Sequence, residues 1–148
     1  MRLWRILLGV LIAPIILVVY WSYPFLEHSA FQKWVIMNTV SGYVAFFILG
    51  FVSHVALKFL HWRKLWQYCA TMAVVAFIAF GGYSISSLDG YHSLYHSQTQ
   101  VVENGSITKA GYVLYARDAG INALVAVCSM AIFWFISGMR SSSVPRDA

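Results

Sequence analysis

The sequence predicts an all-α membrane protein: an antiparallel bundle of four transmembrane helices with a small extracytoplasmic β-hairpin loop. Three observations lead there. Four apolar stretches, residues 3–21, 35–57, 65–86 and 120–139, are each about 19 to 23 residues long, enough at 1.5 Å per residue to cross a hydrocarbon layer of roughly 30 Å. The 148 residues are 60% hydrophobic and only 10% charged, whereas soluble domains carry about 25% charged residues. Basic residues also cluster at every second connection between the stretches. The whole chain, 1–148, reads as a single membrane domain with no room for a second.

The charge pattern supplies an orientation. Arg2, Arg5, Lys58, Arg63, Lys64, Arg140 and Arg146 share one side with a single acid, Asp147. The other side holds Lys33, Lys109 and Arg117 against Glu27, Asp89, Glu103 and Asp118. Positive charge resists translocation, so the first side is expected to be cytoplasmic, with both termini there. The net charge of +5 is thereby assigned to topology and to anionic headgroups rather than to nucleic acid. The first stretch follows a basic start, Met1-Arg-Leu-Trp-Arg5, as a secretory signal would. Bulky residues fill the region where cleavage needs small ones, so an uncleaved anchor is expected.

In the first span, Gly9 and Ala13 share a face and invite close approach of another helix. Pro14 removes a backbone donor and predicts a kink. Tyr20, Trp21 and Tyr23 read as an aromatic belt at the outer surface, and Pro24 ends the helix. Trp34 reads as an anchor for the outer end of the second span. That span is the most polar, with Asn38, Thr39, Ser41, Gly42, Gly50, Ser53 and His54. The inner turn around residues 59–64 is so short that spans two and three must form an antiparallel hairpin. In the third span Ala73, Ala76, Ala79 and Gly82 recur every three residues and predict a small-residue packing ridge.

The outer loop, 88–119, is the one sizeable extramembrane piece. Asn104-Gly105 is the preferred pair for a type I′ turn, in which both central residues need positive φ. β-branched residues flank it, which predicts the hairpin. Residues 112–118 are read as starting the last helix above the membrane surface. In that helix Ala119, Ala123, Val127 and Ala131 lie on one face, with Asn122, Ala126 and Ser129 beside them. The tail, 141–148, is polar and is expected to be a disordered cytoplasmic end.

Two groups are candidates for chemistry. His54 is an ionisable residue within a span, with Gly50 and Lys58 one turn to either side and His61 near the same face. Such a residue is a default functional candidate, for haem, quinone or proton relay. Its nearness to the inner interface offers simple solvation instead. The second group is Asp89, His92 and His96. Were 88–98 helical, all three would share a face and could hold zinc with one position open, joined by His28 or Glu103. Asn104-Gly105-Ser106 also matches a glycosylation sequon, although the turn accounts for the same residues. Arg117 is expected to pair with Asp89 or Glu103, and Asp118 to suit the start of a helix. Cys69 and Cys128 fall within spans and read as small packing residues.

GxSxG, Walker A, HExxH and CxxC motifs do not occur in the sequence. No enzyme activity and no cofactor is predicted. The expected role is that of a multi-pass protein of the cell inner membrane, a eukaryotic endomembrane being the alternative. It would act by helix or loop contact with a membrane-protein partner or with itself, as accessory, immunity or exclusion proteins do. The competing expectation is a small redox, metal-binding or transport protein built on His54 or on Asp89, His92 and His96.

Overall fold

In the computed structural model, residues 3–60, 64–96 and 98–137 are described, without the side chains of Leu3 and Lys58. The protein is mostly helical, with four segments long and apolar enough to cross a membrane and a small three-stranded sheet. The order is α1 (Leu3–Ile12), α2 (Ile15–Ser22), a 3₁₀ turn (Tyr23–Phe25), α3 (Phe31–Phe59), α4 (Leu65–Ser86), β1 (Leu94–His96), β2 (Thr99–Glu103), β3 (Ser106–Ile107) and α5 (Lys109–Ser137). Helices α1 and α2 form one span broken at Pro14. The sheet lies at the end where α4 stops and α5 starts, here called the cap end. The opposite end, where α1 starts and α5 finishes, is the open end. The expected tail, 141–148, lies outside the described residues.

The expected kink is present. Pro14 has no N–H to give, and α1 stops at Ile12 before α2 resumes at Ile15. Helical bonds flank the break, from Ala13 N to Gly9 O at 2.9 Å and from Val18 N to Pro14 O at 3.1 Å. Tyr43 on α3 takes a carbonyl at the break, its hydroxyl donating to Leu11 O at 2.6 Å.

Small residues set how closely the helices approach. A Cβ on Gly9 would stand 2.9 Å from the Phe133 ring, so α1 meets α5 there. A Cβ on Gly42 would stand 3.0 Å from the Val18 side chain, so α2 meets α3. Helices α4 and α5 form the most extensive helix pair. The packed row on α4 is Tyr68, Met72, Ala76 and Phe80, spaced by four. This corrects the expected three-residue ridge. Ala76 is fully buried, but Ala79 and Gly82 face outward. Rows spaced by four follow the helix axis more closely than rows spaced by three, so they stay in contact along a neighbour. Facing them on α5 are Ala123, Ala126 and Met130, and Leu17, Phe46 and Leu49 complete the core.

The polar residues of the spans satisfy themselves locally or across helices. Thr39 Oγ1 donates to Val35 O at 2.7 Å and Ser129 Oγ to Val125 O at 3.2 Å, the usual back-bond of a hydroxyl in a helix. Asn38 Nδ2 donates to Trp21 O at 2.9 Å and Ser22 Oγ at 3.3 Å. Trp21 Nε1 donates in turn to Asn122 Oδ1 at 2.8 Å. Trp21 also meets Phe80 edge to face at 5.9 Å. It therefore points into the bundle, while Tyr20 and Tyr23 point outward as the belt reading expects. Trp34 stacks on Phe25 at 4.2 Å and holds the turn between α2 and α3.

The predicted hairpin is β2–β3, closed by Asn104 (φ 49°) and Gly105 (φ 75°). A third strand, β1, adds antiparallel to β2 with a bulge between Leu94 and Tyr95, so the element is a sheet rather than a lone hairpin. A lone hairpin is marginal in water. This one gains a core of Leu88, Val101 and Val102, packed with Leu94, Ile107, Leu114 and Tyr115. The last helix begins at Lys109, well before residue 120, and supplies the face on which the sheet rests.

Candidate functional site

Near the open end, the spans leave an apolar cavity of about 320 Å³. Val10 comes from α1, Phe46 and Gly50 from α3, Tyr68 from α4, and Met130 and Phe133 from α5. All four spans thus build it. Phe46 and Phe133 meet edge to face at 6.0 Å within its wall. The local cause of the space is Gly50. At Gly9 the missing side chain is replaced by the Phe133 ring, but beyond its own stretch of α3 nothing lies within 4 Å of where a Gly50 Cβ would stand. Phe47 and Phe51 extend the aromatic lining on α3.

His54 lies one turn beyond Gly50 and joins this lining as an exposed residue. The Lys58 side chain, one turn further on, and His61 lie outside the described residues. The structure joins His54 to an aromatic cavity formed by residues from four distant segments. Sequence spacing does not reveal that arrangement, because nothing in a linear pattern says which faces of separate helices fail to fill the space between them.

The helical condition for grouping Asp89, His92 and His96 is not met. Asp89 sits in the turn after α4, His92 in a bend and His96 at the end of β1. Extended chain rises about 3.3 Å per residue, so His92 and His96 are separated by up to roughly 13 Å rather than one helical turn. The His92 carbonyl accepts from Gly105 N at 3.0 Å, and His96 pairs with Thr99. His28 Nδ1 accepts from Ala30 N at 3.1 Å within its own turn. Among the described residues, no three His, Cys, Asp or Glu side chains gather as a metal ion would require.

At the cap end, sheet and helix are joined through the Thr108 hydroxyl. Thr108 Oγ1 accepts from Gly111 N at 3.0 Å, which caps α5, and donates to Gln100 O at 2.7 Å on β2. A Cβ on Gly111 would fall 2.5 Å from Val101 O, so only glycine allows β2 to lie this close. Lys109 and Arg117, two turns apart, line a shallow groove with Thr99 over Val113 and Leu114. Arg117 therefore faces this groove rather than the acids expected to pair with it. Tyr91, Tyr95 and Tyr112 are exposed around the cap.

Cys69 on α4 is half-buried and Cys128 on α5 is exposed, both as free thiols. The two helices run antiparallel, and a Gly81 Cβ would lie 3.7 Å from the Ala119 Cβ where they meet near the cap. No family model, no curated protein and no solved structure matches this chain.

Proposed function

We propose that this chain is a multi-pass protein of the cell inner membrane that acts by contact with another membrane protein, the cap being its recognition surface. Several features support the membrane reading. Only 28%, 22%, 11% and 28% of the most apolar windows of the four spans is buried within the bundle, so most of their apolar surface faces outward and calls for lipid. The basic bias of the open-end connections supports cytoplasmic termini and an outward cap. Helix α5 has 29 residues and is about 43 Å long at 1.5 Å per residue. That exceeds a hydrocarbon layer of roughly 30 Å and leaves its first turns above the lipid.

The observation that carries the contact reading is the junction of Thr108 and Gly111 with β2. It makes the sheet a fixed platform on a helix that continues without a break into the bundle core. A partner bound at the cap would act on α5 directly. The strand β1 is short and lies at an edge of the sheet, available for pairing. An accessory, immunity or exclusion-like role fits such a design, with partner protein or self-association as the contact.

The test is photo-crosslinking in native membranes. A photoreactive amino acid placed at Tyr95 or Tyr112 should give one reproducible adduct, and the same group at Val74, on the outward face of α4, should give lipid adducts alone. Lack of any reproducible protein adduct from the cap positions would overturn the contact reading. Cysteine introduced at Asn104 should react with an impermeant maleimide in intact cells, which checks the orientation separately.

A further inference from the structure

We propose that the cavity beside Gly50 and His54 binds a lipid-soluble quinone-class ring, held between aromatic side chains and hydrogen-bonded to His54. The proposal rests on the membrane reading but not on the contact reading. Three observations carry it. The volume, about 320 Å³, lies at the small end of ligand sites, which begin near 300 Å³. It admits a single ring system and the first part of a tail, and it is too small for a haem macrocycle. The walls are aromatic, with Phe46, Phe47, Phe51, Tyr68 and Phe133 contributing, and flat rings prefer offset or edge-on contact with such walls. Beside them, α3 presents bare backbone at Gly50, where no atom occupies the place of a side chain. A planar molecule can lie against that surface.

The imidazole distinguishes this ligand from an ordinary acyl chain. A saturated chain gains nothing from a hydrogen-bonding group at the cavity. A neutral imidazole has one N–H donor and one acceptor nitrogen, so it can donate to a quinone carbonyl or accept from a quinol hydroxyl. In an apolar surrounding such a bond is stronger than in water. His54 is also exposed while belonging to the lining, so a ring can reach it from the lipid without passing through the bundle. Binding alone is inferred.

The experiment uses the full chain in mild detergent with a decyl-tailed benzoquinone as probe, read by quenching of intrinsic fluorescence and by the rise in melting temperature. Saturable binding is expected for the native chain. Gly50→Leu should fill the space and weaken binding at least tenfold. Its melting temperature without probe should be unchanged or higher, since the added Cβ meets nothing and leucine favours helix over glycine. His54→Leu should weaken binding about three- to tenfold, the loss of one hydrogen bond, and His54→Gln should recover much of it. Quenching that never saturates and is equal in native chain and Gly50→Leu overturns the site. Saturable binding that is insensitive to His54→Leu, and is displaced equally by decanoate, overturns the quinone class in favour of an acyl chain. Cap-directed crosslinking reports on different residues, so failure of either proposal leaves the other standing.

Discussion

The Trp21 indole N–H donates to Asn122 Oδ1 across 2.8 Å and ties α2 to α5. The same tryptophan accepts at its carbonyl from Asn38 on α3 and meets Phe80 on α4. Asn122 completes its own bonding by donating to Asp118 O at 2.9 Å. One residue therefore touches all the other spans at the level just beneath the cap. Interhelical bonds of this type contribute on average about 0.6 kcal/mol in membrane proteins and up to roughly 2. The double-mutant cycle of Trp21→Phe and Asn122→Leu, followed by circular dichroism during unfolding in mixed micelles, should show a coupling of about 0.5–1.5 kcal/mol. Additive effects would mean that the bond does not stabilise the bundle.

The proline break has its own partner in Tyr43. Tyr43→Phe removes the donor to Leu11 O and is expected to cost about 0.5–1.5 kcal/mol in the native background. In a Pro14→Ala background the helix can close its own bonds, and the same change should then cost little. Equal losses in both backgrounds would show that the hydroxyl does not serve the break.

At the cap, Gly111→Ala places a methyl group against the Val101 carbonyl. The strand must move away, at a cost of about 2 kcal/mol or more, as overpacking against backbone usually brings. Thr108→Ala should cost about 1 kcal/mol through loss of the helix cap. Both changes should raise hydrogen exchange and protease cleavage in residues 94–107 while leaving exchange in α3 unaltered. Equal loosening of α3 would show that cap and bundle unfold as one unit.

Spans and turn were legible because each depends on neighbours in sequence. Length and apolarity mark a helix that can cross a membrane, Pro14 breaks a helix wherever it stands, and Asn104-Gly105 tolerates positive φ by itself. The ridge on α4 was misread because several rows on one helix look equally suitable until a second helix selects among them. Trp21 was read as an interface residue for the same reason, since aromatic side chains near a span's end can turn outward or inward. The strand at residues 94–96 was missed because three residues carry too little pattern to oppose a helical reading of 88–98.

Composition and local pattern thus established four apolar spans, their alternation and the tight turn, all consequences of how each segment meets solvent or its own backbone. The cavity at Gly50 and His54, the Trp21–Asn122 link and the seating of the sheet on Gly111 arose from a different cause. Each depends on which faces of separate segments fit together, and that fit is decided by side-chain volume between helices distant in the chain.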